Sequence, residues 1–125
     1  MKLSIIESPL AGDFKRNVAY ARLCMLDALR RGEAPYASHL LYTQCLDDEK
    51  PEERELGIQA GFAWAKAATL RAFYVDFGYS SGMLRGKDEA LRLGQEVEER
   101  KLPPDLMLKL QILIDGTKIG TREST

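Results

Sequence analysis

The sequence is poor in the residues on which disulfide-linked and metal-bound small domains depend. It contains two cysteines, Cys24 and Cys45, which lie in segments of different character, and one histidine, His39. It has no Cys-x-x-Cys pair and no His/Cys spacing typical of a zinc site, so we expect neither a disulfide framework nor a bound metal. This cysteine usage is typical of a reducing compartment, and both cysteines are expected to be inert.

Long apolar runs and an excess of charge of either sign are also missing. No apolar stretch reaches 18 residues, and the run at 1–7 is too short for a signal peptide, so we expect a cytoplasmic protein with no membrane partner. The 18 Lys and Arg residues balance 19 Asp and Glu residues to a net charge of −1. A near-neutral chain lacks the positive field that duplex nucleic acid attracts. There is no P-loop and no Gly-x-Gly-x-x-Gly, and we expect no cofactor.

What the sequence does contain is an alternation of strand-like and helix-like segments within 125 residues, the length of one domain. Apolar, β-branched and aromatic content predicts strands at 3–6 and 71–76, with a short second strand at 34–38 and a polar edge strand at 96–100. Helical spacing predicts helices at 14–31, from Pro51 onward and at 82–93, the first capped by Asp13. We therefore predict a three-layer α/β fold of the flavodoxin or Rossmann kind, a parallel sheet of four to five strands with helices on both faces.

Two segments raise questions of packing. The second helix has one narrow face of small and apolar residues, which predicts close packing against the sheet: Leu56, Ala60, Ala63, Trp64 and Ala67. Residues 103–125 form a C-terminal extension to a domain of residues 1–102. Alternating leucine and isoleucine there fit a hairpin, whereas Pro104 and Gly116 fit the start and end of a helix, which we favour. So apolar an extension suggests packing on another element or another subunit, and we expect a homo-oligomer.

Polar residues gather where the predicted strands end, and ligands of open parallel sheets bind at that edge. The loop after the third strand also leads into a helix N-terminus, which suits an anion such as phosphate. We therefore expect a small polar, phosphorylated ligand. Structural alternatives stay open: a merely structural histidine at 39, a simple turn at 76, and helix capping by the serines at 80 and 81. The candidate residues are Glu7, Ser8, Gly12, Arg16, Ser38, His39, Arg54, Asp76, Gly78, Tyr79, Ser80 and Ser81.

Two motifs resemble the nucleoside 2-deoxyribosyltransferase family. The first is the strand and Ala-Gly loop Ile5-Ile6-Glu7-Ser8-Pro9-Leu10-Ala11-Gly12, and the second is Asp76-Phe77-Gly78-Tyr79-Ser80-Ser81-Gly82-Met83. The resemblance spans about residues 3–100. A closer similarity, to small phage- and actinobacterial-type domains, is carried by Ser38-His39-Leu40-Leu41-Tyr42-Thr43 and Glu53-Arg54-Glu55-Leu56-Gly57. The family includes base-exchanging transferases and hydrolases that cleave the N-glycosidic bond of nucleoside monophosphates.

The resemblance implies catalysis by a glutamate that attacks the anomeric carbon, while another acid helps the base to leave. In the family's hydrolases that glutamate lies in a Gly-Tyr-Glu-Leu-Gly string, and here Ser80 stands in its place. Three functions follow. The chain could bind a nucleoside or nucleotide and cleave it by direct water attack, with Glu7 or Asp76 as general base. It could bind the nucleotide without turnover, as a sensor or sponge. It could be an interaction protein with a relic pocket.

Overall fold

A four-stranded, all-parallel sheet organises the chain in the computed structural model, which describes the backbone of residues 1–123 and the side chains of residues 1–116. The sheet order is β2-β1-β3-β4, so β1 and β3 are the central strands. With helices on both faces this is a three-layer α/β fold of the Rossmann-like kind, as predicted. The elements in chain order are β1 (Lys2–Glu7), α1 (Phe14–Arg30), β2 (Glu33–Tyr36), two short 3₁₀ turns (Ser38–Leu40 and Tyr42–Gln44), α2 (Pro51–Ala65), β3 (Leu70–Tyr74), α3 (Ser81–Arg92), β4 (Glu96–Arg100) and α4 (Pro104–Glu123).

Local sequence signals set the ends of the helices. The Asp13 carboxylate accepts a hydrogen bond from the backbone N–H of Arg16 at 3.2 Å and begins α1. Gly32 follows α1 with a φ of +83°, a conformation that glycine adopts without steric cost. Pro51 occupies the first turn of α2, and the hydroxyl of Ser80 caps α3 by accepting from the N–H of Met83 at 3.2 Å.

The strand ends differ by a few residues from those predicted. β2 ends at Tyr36, so Ser38 and His39 lie in the 3₁₀ turn that follows it. β3 ends at Tyr74, which leaves Asp76 in the loop. The last paired residues are Tyr36 with Ile5 and Tyr74 with Arg100, and the N–H of Val75 still donates to the carbonyl oxygen of Arg100 at 2.9 Å before the chain leaves the sheet.

The C-terminal segment is a helix, as we favoured over the hairpin. It runs through Gly116 to Glu123, so the predicted end at Gly116 is wrong. Its inner face belongs to the core between α1, α4 and the sheet, where Leu106 and Leu110 are buried with Tyr20 of α1 and Tyr74 of β3. The helix therefore packs on an element of its own chain.

The predicted packing face of α2 is wrong. Leu56 and Trp64 are 59% and 60% exposed, and Ala63 and Ala67 are exposed as well. The inner side instead carries Gly57, Ile58, Gly61, Phe62 and Ala65. The reason is the close approach of the loop before α2: a Cβ at Gly61 would lie 3.3 Å from Ser38, and one at Gly57 would lie 3.4 Å from Leu46. Glycines that admit a loop therefore decide which side of α2 faces inward.

None of the helices within residues 1–123 combines the length and the apolar character needed to cross a membrane.

Candidate functional site

A cleft opens between α2 and the sheet, beside the carboxyl ends of β1 and β2 and over the side chain of Arg71 in β3, on the α2 and α3 face of the sheet. The two 3₁₀ turns close one end of it, and the N-terminus of α3 borders it. Its polar and aromatic lining is Glu7, Tyr36, Ser38, His39, Tyr42, Thr43, Asp48, Glu53, Arg54, Phe62, Arg71, Ser80 and Ser81. The structure thus brings together six of the predicted site residues, from four separate segments of the chain: Glu7, Ser38, His39, Arg54, Ser80 and Ser81.

Glu7 lies at the end of β1, and its Oε2 is 3.2 Å from Nη1 of Arg71. Burial raises the pKa of Glu7 to about 7, although the charge and the hydrogen bond of Arg71 act in the opposite direction. Gly86 of α3 packs directly on this carboxyl, since a Cβ there would lie 2.6 Å from Oε2. A carboxyl with a pKa near neutrality can both accept and donate a proton at physiological pH, which is what a general acid or base requires.

Arg71 is fully buried, and only one of its three guanidinium nitrogens is used. Nη1 donates to Glu7 and, at 2.8 Å, to the carbonyl oxygen of Gly86. Nε and Nη2 are buried and have no hydrogen-bond partner among the described residues. Their N–H groups share one edge of the guanidinium, the edge that binds a carboxylate or a phosphate in a bidentate manner. A buried donor left without a partner costs about 1–3 kcal/mol. Arg71 is one of the lining residues, so an acceptor that reached this edge would remove that cost.

His39 is held by the end of β1. Its Nε2 lies 2.8 Å from the carbonyl oxygen of Ser8, which can only accept, so Nε2 carries the hydrogen and Nδ1 is left as an acceptor. Burial lowers the pKa of His39, which makes the neutral imidazole the dominant form at pH 7. His39 is thus placed to accept a hydrogen bond in the cleft rather than to supply a positive charge.

The N-terminus of α3 and Arg54 form the positive side of the cleft. Ser80 satisfies one backbone N–H of the first turn, and Ser81 and Gly82 follow it in the cleft lining. Nη2 of Arg54, on α2, lies 3.9 Å from where a Cβ at Gly82 would be. A helix N-terminus and a guanidinium at the same position favour an anionic group on the ligand.

Residues 2–100 match the family described as "Domain of unknown function (DUF7768)". The chain belongs to this family. The matched segment contains all four strands, α1 to α3 and every residue of the cleft, and it ends before α4. The sequence has no significant match among curated proteins.

Asp76 of this DUF7768 domain lies outside the cleft lining and is committed to the fold. Its Oδ2 accepts hydrogen bonds from the hydroxyl of Tyr20 at 2.6 Å and from the backbone N–H of Leu102 at 3.0 Å. These contacts join α1, the loop after β3 and the segment before α4. A carboxylate held by such donors is a connector between elements, and the structure does not bring it into the cleft lining with Glu7.

Five further predicted residues also lie outside the lining of the DUF7768 cleft. The guanidinium of Arg16 stacks over the ring of Phe77 at 4.0 Å, and the Tyr79 hydroxyl donates to Glu99. Gly12 and Gly78 have φ values of +98° and +80° and serve as turn residues. Ser8 is buried, and its hydroxyl has no partner among the described residues.

Sequence reasoning missed the arginine at the floor of the cleft. Arg71 stands in β3 between Leu70 and Ala72, in a strand whose five residues are all buried. An arginine inside an otherwise apolar central strand of a parallel sheet is unusual, because both faces of such a strand are covered. That local signal could have identified it. The aromatic lining from Tyr36, Tyr42 and Phe62 carried no comparable signal.

No group of three or more His, Cys, Asp or Glu side chains in the described part of the chain is arranged to hold a metal ion.

Proposed function

We propose that the cleft binds a nucleoside monophosphate or a closely similar nucleotide and that Glu7 promotes hydrolysis of its N-glycosidic bond. The observation that supports this most strongly is the Glu7–Arg71 pair, a carboxyl with a pKa of about 7 beside a buried guanidinium with an unpaired bidentate edge. A hydrolase that acts on a polar substrate needs a group that transfers a proton and a group that binds the substrate beside it, and Glu7 and Arg71 could fill these two roles.

The remaining lining residues suggest which part of a nucleotide each region of the cleft would bind. The N-terminus of α3 and Arg54 suit the phosphate. The rings of Tyr36, Tyr42 and Phe62 offer surfaces for the base. Arg71 would then meet acceptor oxygens of the sugar or base next to Glu7. This division places the bond between sugar and base near the only cleft carboxyl that contacts Arg71.

In the proposed reaction a water molecule attacks the anomeric carbon and Glu7 accepts its proton. The carbon–nitrogen bond breaks, its electron pair goes to the base nitrogen, and that nitrogen takes up a proton from solvent, while Glu7 returns the proton it accepted to solvent. No covalent intermediate is needed. Ser80, at the place of the glutamate in the resembling family, has its hydroxyl bound to the N–H of Met83, so it does not support a nucleophilic role.

The same serine favours a second candidate function, binding without turnover. A capping hydroxyl at the border of the cleft stabilises α3 and keeps its N-terminus in place for an anion, whether or not the ligand is cleaved. A sensor or sponge for a nucleotide would need only that binding.

Incubation with a panel of ribo- and deoxyribonucleoside monophosphates, read by chromatography for free base and by calorimetry for binding, tests both functions. We expect release of base from at least one member, and Glu7→Gln should abolish release while it retains binding. The exposed Glu96→Gln, remote from the cleft, is the matched control and should behave as wild type.

Tight binding with no release by the wild type would contradict hydrolysis and support the sensor or sponge. Neither binding nor release across the panel would contradict both functions.

A further inference from the structure

The outer side of α2 carries an apolar stripe that the rest of the described chain leaves uncovered. Leu56 and Trp64 are its large residues, with about three-fifths of their surface exposed, Ala60 and Ala63 lie between them, and Ala67 follows just after the end of the helix. Trp64 is held in place by stacking on the ring of Tyr36, with 6.0 Å between ring centroids and 29° between planes. The stripe is Leu56, Ala60, Ala63, Trp64 and Ala67.

Opposite charges flank the two ends of the stripe. Glu52 lies in the first turn of α2 and Lys66 follows its last residue, and both are exposed. Neither side chain forms an ion pair or hydrogen bond with any described residue. At 100° per residue along the helix, the two side chains project from the same flank of the stripe.

We propose that the stripe is the interface of a homodimer in which two α2 helices pack antiparallel about a two-fold axis near Ala60. The axis brings Leu56 of one protomer onto Trp64 of the partner subunit. It maps each flank of the stripe onto itself, so Glu52 meets Lys66 of the partner subunit, and the pair is formed twice. The alanines between allow the helices to approach closely.

The charge arrangement is what selects a second copy as the occupant. One flank of the stripe is negative at its first end and positive at its last end. A second copy of α2 therefore matches these charges only when it runs antiparallel to the first. The inner side of α2 lines the cleft, so a dimer on the outer side leaves the cleft open, and the proposal does not depend on the proposed function.

The expected dimer is of modest affinity, because a 15-residue helix is only about 22 Å long and the interface lies at the small end of specific complexes. Sedimentation velocity from about 2 to about 200 µM should show a monomer–dimer equilibrium in that range. Trp64 is the only tryptophan in the chain, so its emission should move to shorter wavelength and resist quenching by acrylamide as the concentration rises. A wild type that stays monomeric, with Trp64 equally quenched throughout, would overturn the proposal.

Ala63→Glu should raise the dissociation constant at least about ten-fold, because it buries an unpaired charge in the stripe. Leu91→Glu is the matched control, since Leu91 is 63% exposed on α3 and outside the stripe. A dimer that Ala63→Glu leaves unchanged would show that it forms elsewhere.

Charge reversal tests the antiparallel arrangement itself. Glu52→Lys and Lys66→Glu should each weaken the dimer about three- to ten-fold, since each places like charges together twice. The double variant should recover to within about two-fold of wild type, because the reversed pair is again complementary. A double variant as weak as the singles would overturn the two-fold arrangement.

Discussion

The two faces of the sheet each bury an arginine against a carboxylate, and they differ in how completely the arginine is satisfied. On the α1 and α4 face, Arg100 donates from Nη1 and Nη2 to Glu33, from Nη1 to the hydroxyl of Tyr74, and from Nε to Glu98. On the α2 and α3 face, Arg71 donates from Nη1 alone. Arg71 is nevertheless the more deeply buried of the two, at 0% exposed against 4%.

The hydrogen bonds of Arg100 are part of a larger network of paired polar side chains. The Tyr74 hydroxyl donates to Asp27 at 2.6 Å, and Asp27 in turn pairs with Arg31 at 2.9 Å. Such a network joins α1, β2, β3 and β4 and behaves as a structural connector. The free edge of Arg71 lowers stability instead of raising it, and a ligand acceptor would remove that cost. The two buried arginines therefore differ in their remaining hydrogen-bonding capacity, which is used up in Arg100 and left over in Arg71.

The largest expected effect comes from replacing each arginine by methionine. Arg100→Met leaves Glu33 buried without its cation and should lower the free energy of unfolding by about 3–5 kcal/mol. Arg71→Met should cost less than about 1 kcal/mol at pH 6, because it removes two unpaired donors and Glu7 can stay protonated. Urea denaturation measures both.

Equal losses in the two variants would contradict the contrast between the faces. The order of the two variants should reverse when nucleotide affinity is measured, because Arg71→Met should abolish binding and Arg100→Met should not.

An effect of about 3 kcal/mol is expected from the titration of Glu7. Its pKa is about 7 in the folded chain against an ordinary value of 4.5, so the folded state binds more protons between these limits. The stabilisation is fully present below about pH 4.5 and is lost as the pH rises to about 7. Urea midpoints of wild type and Glu7→Gln across pH 4–8 should therefore diverge.

The difference between these two curves isolates Glu7, because His39 and the other groups titrate in both proteins. Parallel curves would show that the carboxyl is not perturbed.

The smallest effect on stability is expected from Gly86→Ala. The new Cβ would lie 2.6 Å from the Glu7 carboxyl and must displace it from Arg71, while alanine favours the helix by up to about 1 kcal/mol. We expect a net change in stability below about 1 kcal/mol and a loss of nucleotide affinity measured by calorimetry. Gly116→Ala is the control, since its added Cβ meets nothing within 4 Å. Unchanged affinity in Gly86→Ala would mean that the position of Glu7 does not matter for binding.

The sequence was sufficient for the architecture because its signals are local. Asp13, Ser80, Gly32 and Pro51 act within one helical turn of where they stand, and the apolar runs of β1 and β3 need no partner to be recognised. The inner side of α2 could not be predicted in this way. It depends on Gly57 and Gly61 accepting a loop from elsewhere in the chain, and a glycine adds nothing to an apolar pattern.

The candidate site shows the same difference between what local sequence predicts and what depends on tertiary contacts. Glu7 and His39 follow from the rule that parallel strands present their carboxyl ends at one edge, Arg54 is predicted from its expected place near that edge, and the structure brings all three into one cleft. Asp76 satisfies the same rule but is bound by Tyr20 and Leu102, which are 56 and 26 residues away in the chain. Whether a loop carboxylate is free or engaged is a property of tertiary contacts.

Helix α4 has a consequence for how the protein is divided into pieces. Sequence similarity to the family ends at residue 100, yet Leu102, Leu106 and Leu110 complete the core around Tyr20 and Tyr74. A fragment cut at residue 100 would expose the part of the α1 and sheet core that α4 covers, and an exposed apolar surface of that kind promotes aggregation. The smallest piece that keeps this core covered is thus longer than the segment that matches the family.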